Sequence, residues 1–244
     1  MTKMMRLDKL LSNMGYGSRR DVKELVKRGF VSINGKIVKQ ASIKLDALLD
    51  EVLVHGEKVE YREFIYLLMN KPKRYISATE DDYHKTVIDL IDEDYQHFEP
   101  YPVGRLDIDT TGLLIITNDG ELTHKLISPK TGIVKVYIAD VDGRVTEKEV
   151  NIFKNGIHLM PEDYITLPAE LEVLRRGAVS TVKVSIKEGK YHQVKRMFES
   201  VGMRVLELKR LEIGEIELDE NLSEGEYREF NSEELKWIES LKDN

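Results

Sequence analysis

The chain has 244 residues, enough for one large domain or a small one beside a medium one. Its 41% hydrophobic and 33% charged residues are ordinary for a soluble globular protein. With no cysteine at all, disulfide scaffolds and thiolate metal sites are excluded, and a reducing cytoplasm is the expected home. The net charge of −7 hides a split. Residues 1–44 hold 11 Lys or Arg against 3 Asp or Glu, a local net of +8, and the other 200 residues hold 26 basic against 41 acidic side chains, a net of −15. Such a split suits a basic RNA- or membrane-facing module on an acidic body, although a solvated basic face without a partner gives the same numbers. The opening MTKMMRLDKLL has no apolar run long enough for a signal peptide, and nothing approaches the roughly 20 apolar residues of a membrane span. Nothing demands more than a monomer.

In chain order, Leu7, Leu10, Leu11 and Met14 repeat at helical spacing, and Gly15 and Gly17 end that helix. Ser18 caps a second helix with Asp21 three residues on, a partial capping box. Val22, Leu25 and Val26 form its apolar stripe, so Arg19, Arg20, Lys23, Lys27 and Arg28 fall largely on an exposed face. Gly29 is a good terminator, and Asn34-Gly35 between apolar runs predicts a hairpin. Val52–Val54 and Val59 read as strand material, and the charged stretch Glu60–Glu63 marks a boundary, giving domains 1–61 and 62–244. Phe64–Met69 is an apolar strand stopped by Asn70-Lys71-Pro72. Residues 79–99 are acidic loop with a short helix around Val87–Ile91. Leu113–Thr117 is a buried strand, followed by a tight turn at Asn118-Asp119-Gly120. Strands are predicted at Ile133–Val141, Ala169–Arg175, Thr181–Ile186, Arg204–Leu208 and Ile213–Leu218. Helices are predicted at Thr146–Lys154, Gln193–Ser200 and from Ser232 to Ile238. The mixture is α+β, with hairpins rather than a regular βαβ alternation.

The familiar chemical signatures are missing. There is no G-x-G-x-x-G after a strand, no P-loop and no G-x-S-x-G elbow. The six histidines lie far apart with no H-x-x-x-H pair, which speaks against a zinc site. What remains is the run Gly104-Arg105-Leu106-Asp107-Ile108-Asp109-Thr110-Thr111-Gly112, a polar loop that leads directly into the buried strand. Polar groups on a loop held by a rigid scaffold are favoured for chemistry, yet a decorated turn whose aspartates cap backbone amides has the same composition. Asp107 and Asp109 also allow a divalent-metal pair, with no further carboxylate cluster to support it.

The run Gly104–Gly120 closely resembles the catalytic signature of the pseudouridine synthases of the RsuA branch, in which the aspartate after Gly-Arg-Leu is the essential carboxylate, here Asp107. The resemblance continues in order along the chain. Met69-Asn70-Lys71-Pro72 looks like the end of the family's first catalytic-domain strand. Lys135-Val136-Tyr137 matches its K-x-Y element, and Glu188–Phe198 matches its third conserved region. Leu208–Gly214 matches the element after that, and residues 5–60 resemble the small S4-like (alpha-L) RNA-binding module. The implied fold is that module followed by a synthase domain with a central mixed, mainly antiparallel sheet.

The resemblance implies an isomerase that turns one uridine of ribosomal RNA into pseudouridine with no cofactor and no metal. Asp107 would act as nucleophile or base at the sugar. Lys195 is the implied basic partner of Asp107, with the adjacent Arg196 as the alternative, since neighbours on a helix point about 100° apart. Tyr137 would stack on the extruded uracil. Arg105 would contact phosphate or fill the vacated stack, or else pair with Asp109. Gln193 would orient the uracil edge or cap a local amide, and His192 reads as a structural hydrogen-bonding residue. Arg19, Arg20, Lys23, Lys27, Arg28 and Arg196 would meet RNA. The Tyr191-His192-Gln193-Val194-Lys195-Arg196-Met197 form looks like small-subunit enzymes, so the expected partner is small-subunit ribosomal RNA or an assembly intermediate of that subunit. Large-subunit or transfer RNA is the rival target. A non-catalytic assembly factor and a magnesium-dependent nuclease using Asp107 and Asp109 are the rival classes.

Overall fold

A computed structural model describes residues 2–243. The chain gathers into two compact units, Met1–Ile65 with Asp92–Glu99, and Tyr66–Ile91 with Pro100–Asn244.

In the first unit β1 (Met4–Arg6) leads into α1 (Leu7–Asn13) and α2 (Arg19–Lys27). The capping box forms as expected: the Asp21 amide donates to the Ser18 hydroxyl at 3.4 Å, and the Ser18 amide donates to the Asp21 carboxylate at 2.9 Å. β2 (Val31–Ile33) turns into β3 (Lys36–Ile37) through Asn34 and Gly35, whose φ angles of 49° and 74° suit a two-residue hairpin loop. β4 (Lys44–Asp46) pairs antiparallel with β1. β5 (Val52–Val54) and β6 (Glu57–Lys58) complete an antiparallel sheet of order β3-β2-β5-β6. Leu7, Leu10 and Leu11 of α1 and Val22 and Val26 of α2 bury against Val31, Val52 and Val54 of that sheet. The short helix α3 (Glu93–Gln96) also belongs to this unit, and His97 after it lies 3.1 Å from where a Cβ on Gly15 would stand.

The second unit is built on one large mixed sheet. Its strands are β7 (Tyr66–Lys71), β8 (Tyr101–Pro102), β9 (Thr111–Thr117), β10 (Lys135–Asp142), β13 (Glu170–Arg175), β14 (Val179–Ile186), β15 (Arg204–Ile213), β16 (Ile216–Glu217) and β17 (Tyr227–Glu229). A separate hairpin joins β11 (His158–Leu159) to β12 (Tyr164–Ile165). The main order is β13-β14-β10-β15-β9-β7-β17, with β16 beside β15 and β8 beside β9. Every neighbour is antiparallel except β15 and β9, which pair in parallel through Lys209 with Thr111 and Arg210 with Gly112. That one parallel seam explains Gly112. Its φ is +98°, and a Cβ there would stand 2.2 Å from the Arg210 carbonyl oxygen. Helices α4 (Gly120–Ile127) and α7 (Ser232–Asp243) share a core with Leu68, Leu113, Ile115 and Ile213, to which they contribute Leu122, Leu126 and Ile238. Helix α5 (Glu147–Asn155) packs on β13 and α6 (Gln193–Ser200) on β15, with the Phe153 and Phe198 rings 4.8 Å apart.

The elements differ from expectation in a few places. The turn at Asn118–Gly120 is the start of α4: Asp119 accepts from the amides of Glu121 and Leu122, both at 3.1 Å, so the aspartate is a helix cap. Arg204–Leu208 and Ile213–Leu218 are not two strands. One ten-residue strand, β15, runs to Ile213, and Gly214 at φ +60° turns it into β16. The segment from Val87 is a 3-10 turn ending at Leu90. The last helix is capped by Asn231, which accepts from Glu233 and Glu234 amides at 2.9 and 3.0 Å.

Candidate active site

The loop between β8 and β9 carries the Gly-Arg-Leu-Asp run, and several groups hold it from beneath. The Ser77 hydroxyl accepts from the Leu106 amide and donates to the Leu106 carbonyl, both at 3.0 Å. The Arg74 amide donates to the Ile108 carbonyl at 2.8 Å. Lys71, fully buried at the end of β7, donates its ammonium to the carbonyls of Pro72, Asp107 and Thr110 at 3.0–3.1 Å. Three carbonyls are a cage for a cation, and the cage fixes the backbone of Asp107 itself. Burial still brings the Lys71 ammonium down to about 8, against the pull of Asp107 and Asp109.

The Asp107 carboxylate faces α6. Lys195 on that helix stands 2.9 Å from Asp107 Oδ2 and 2.6 Å from Asp109 Oδ1. Burial disfavours the Lys195 charge, but the two carboxylates outweigh it and hold the ammonium above its usual value. Asp109 is likewise held below the usual carboxylate range, burial opposing and Lys195 prevailing. His192 caps the start of α6 in the left-handed region at φ 48°, with Nε2 3.3 Å from Asp107 Oδ1 and its ring stacked on Tyr191 at 3.8 Å. An open cleft runs inward from Asp107. Tyr137 lines it from β10 and is buried. So do the apolar side chains of Ile186, Leu208 and Ile213, the exposed Arg105 at the loop, and the buried Lys135, Glu188 and Arg210.

A family profile described as RNA pseudouridylate synthase matches residues 65–200, and one described as S4 domain matches residues 5–48. The chain belongs to the RNA pseudouridylate synthase family. It is 48% identical over 232 residues to an uncharacterized RNA pseudouridine synthase, YtzG, of Bacillus subtilis, covering 95% of this chain and 97% of that one. It is 40% identical over 245 residues to the ribosomal large subunit pseudouridine synthase B of the same organism, covering 99% and 98%. It is 40% identical over 232 residues to the ribosomal small subunit pseudouridine synthase A of Yersinia pestis, covering 95% and 97%. A crystal structure of a pseudouridylate synthase superposes with a TM-score of 0.67 at 35% identity, covering 97% of this chain and 99% of that one. The expected family and fold class, an S4 domain followed by a synthase domain on a mixed sheet, therefore hold, and the chain is a pseudouridine synthase.

In this synthase the helix phase of α6 selects Lys195, not Arg196, as the neighbour of Asp107. Arg196 points elsewhere: its guanidinium donates to the Met160 carbonyl at 2.8 Å and pairs with Glu162 at the surface. Gln193 takes the second of its two expected roles. It is buried, its amide nitrogen donates to Glu188 Oε1 at 2.8 Å, its oxygen accepts from the Lys190 amide at 2.9 Å, and it lines the cleft. Arg105 makes no ion pair with Asp109, whose partner is Lys195. That ammonium lies between the two carboxylates, where the nuclease reading would need a cation of its own. Among the described residues no group of three or more His, Asp or Glu gathers at metal-binding distance. In the other unit Arg19, Arg20, Lys23, Lys27 and Arg28 are all exposed. No helix among the described residues is long and apolar enough to cross a membrane.

Sequence reasoning missed Lys71, Lys135, Arg210 and Glu188 as parts of the site. Each is a charged side chain at a buried position of an apolar strand or its end, which is rare without a partner or a purpose. That interruption of the pattern was the available signal.

Proposed function

We propose that this pseudouridine synthase isomerises one uridine of small-subunit ribosomal RNA in the cytoplasm, with Asp107 as its acting carboxylate. The supporting observation is the meeting of Asp107 and Lys195 at 2.9 Å at the mouth of a cleft that Tyr137 lines. Isomerisation breaks the N1–C1′ bond, turns the uracil, and joins C5 to C1′; the C5 proton leaves and N1 gains one. A carboxylate suits either role at the sugar, as nucleophile at C1′ or as base. Lys195 places a permanent positive charge beside it. Tyr137 provides an aromatic face for the extruded base, and its phenol is the group nearest in kind to a carrier for the C5 proton. Arg105, exposed and at the cleft, fits the RNA backbone or the gap the base leaves.

The exposed cations of α2 in the S4 unit supply affinity through phosphate contacts. The small-subunit target rests on the Tyr-His-Gln-Val-Lys-Arg-Met form of residues 191–197 and on the small-subunit relative. The large-subunit relative at the same identity supports the second reading. The deciding experiment incubates the protein with small-subunit RNA or an assembly intermediate from a strain lacking the enzyme, then maps pseudouridine by carbodiimide treatment and primer extension. One new stop, absent with Asp107→Asn, is the expected result. A stop on large-subunit or transfer RNA instead keeps the chemistry and replaces the target. RNA binding without any stop makes the chain an assembly factor.

A further inference from the structure

The floor of the cleft carries two buried cations that the protein itself scarcely employs. Lys135 is 7% exposed and Arg210 is 5% exposed, and both line the cleft with Tyr137. Tyr137 and Arg210 are direct partners across the β10–β15 pair, and Lys135 is two residues from Tyr137 on the same strand, so one sheet face presents all three. Lys135 has one partner, the Ile133 carbonyl at 2.9 Å. Arg210 donates Nε to the Leu113 carbonyl at 2.8 Å, and its Nη2 is buried with no hydrogen-bond partner. The buried carboxylate of this cleft, Glu188, does not answer either charge. Its oxygens accept from the Leu167 amide at 2.9 Å, from Gln193 at 2.8 Å and from the Tyr164 hydroxyl. Burial, with the Arg210 charge added, brings the Lys135 ammonium down to about 8.

Buried cations without a counter-charge are costly, and a half-satisfied guanidinium more so, unless the partner comes with the ligand. What the isomerisation delivers to this floor is an anion. When N1–C1′ breaks, the bonding electron pair stays with N1 and spreads over the ring to the O2 and O4 carbonyls. We propose that the Lys135 ammonium, with the unanswered charge of the Arg210 guanidinium behind it, forms a subsite for this uracil anion, the ammonium hydrogen-bonding a carbonyl oxygen and both charges stabilising the anion as it develops. The pair is then used again: C5 attacks C1′ with it, the C5 proton leaves, N1 is protonated, and the ring is neutral once more. Ile186, Leu208 and Ile213 give the same cavity apolar walls that suit a flat ring better than a phosphate, while exposed Arg105 is the cation placed for the backbone. The inference rests on this cleft being the site of isomerisation.

The test compares Lys135→Met with wild type on RNA carrying uridine or 5-fluorouridine at the target. Fluorine withdraws electrons and makes the base a better leaving group, so it needs less help. On uridine the variant is expected to lose kcat about 10²-fold with KM little changed, as when one donor to a developing anion is removed. On 5-fluorouridine, read as loss of the N-glycosidic nucleoside after digestion, the loss shrinks to about a tenth of that. Lys135→Arg, which keeps the charge, recovers most of the rate. Equal losses on both RNAs, or a loss confined to KM, would overturn the proposal. Lys135→Gln gives the same comparison if the methionine variant does not fold. A wild type inactive on both RNAs sinks the functional reading itself, whereas an active wild type matched by the variant sinks only the subsite.

Discussion

Asp107 and Asp109, two residues apart on one loop, share a single ammonium, and that sharing sets the character of the site. Lys195 lies nearer Asp109 than Asp107, at 2.6 against 2.9 Å, so Asp109 anchors the lysine that Asp107 faces. Lys71 acts on the same aspartate from the other side, through its backbone. Its three carbonyl contacts make it a positioning residue, and Lys71→Met is expected to lower kcat about 10²-fold with RNA affinity retained, because a misplaced carboxylate misses its attack geometry. Single-turnover rates beside a binding isotherm check this; an unchanged rate would mean that Ser77 and the Arg74 amide hold the loop alone. At this scale legibility was uneven. Asp107 stood out through the resemblance of its Gly-Arg-Leu-Asp run to a family signature, since the composition of that loop fits a decorated turn equally well. The choice of Lys195 over Arg196 did not, because adjacent helical residues are equivalent until the phase of the helix against the loop is known. Lys135 and Arg210 were hidden for a related reason: their significance lies in who fails to pair with them, and pairing is a property of the folded chain.

Helix α2 carries its own prediction. Its apolar positions Val22 and Val26 are buried, and its four cations and the Arg28 that follows it are exposed. Arg19→Ala with Arg20→Ala should weaken RNA binding and flatten the plot of log affinity against log salt, by about 0.7 for each phosphate of single-stranded RNA that the helix ceases to neutralise. Titrations at several salt concentrations measure it, and a slope equal to that of wild type would turn the helix away from RNA. The capping box and the Asn34-Gly35 hairpin were readable because their signals are local, a side chain and an amide three residues apart or two residues at positive φ. α4 was not, since Asn118-Asp119-Gly120 is equally a turn and a helix start, and only burial of Leu122 and Leu126 separates them. β15 was split in two because Lys209, Arg210 and Glu212 break its apolar pattern; Lys209 and Arg210 serve the parallel seam with β9, Arg210 also lines the cleft, and Glu212 pairs with Lys183.

For the molecule as a whole, burying lysines leaves a mark on stability against pH. Lys71 and Lys135 are both brought down to about 8 from 10.5. Between those values the unfolded chain binds more protons than the folded one, so stability rises with pH across that window. Well below pH 8 the folded protein carries both buried charges in full. The urea midpoint is therefore expected to climb from pH 7.5 to pH 9.5, and to climb less in Lys135→Met. A midpoint that falls over this interval would contradict the assignment. The S4 unit and the sheet class of the second unit were legible as pattern and resemblance, but the place of Asp92–Glu99 was not. Nothing in an acidic loop says that it belongs with residues 1–65. That segment gives the chain an unusual itinerary: it leaves the first unit, enters the second, returns, and leaves again. The first unit is thus not one continuous stretch of chain. A gene cut at residue 65 would strip it of α3 and of the ring that packs at Gly15, and a recombination event exchanging RNA-binding modules between relatives would have to carry two separate stretches of coding sequence. On the ribosome, too, the first unit is finished late, only after residue 99 has emerged and part of the catalytic sheet has been made.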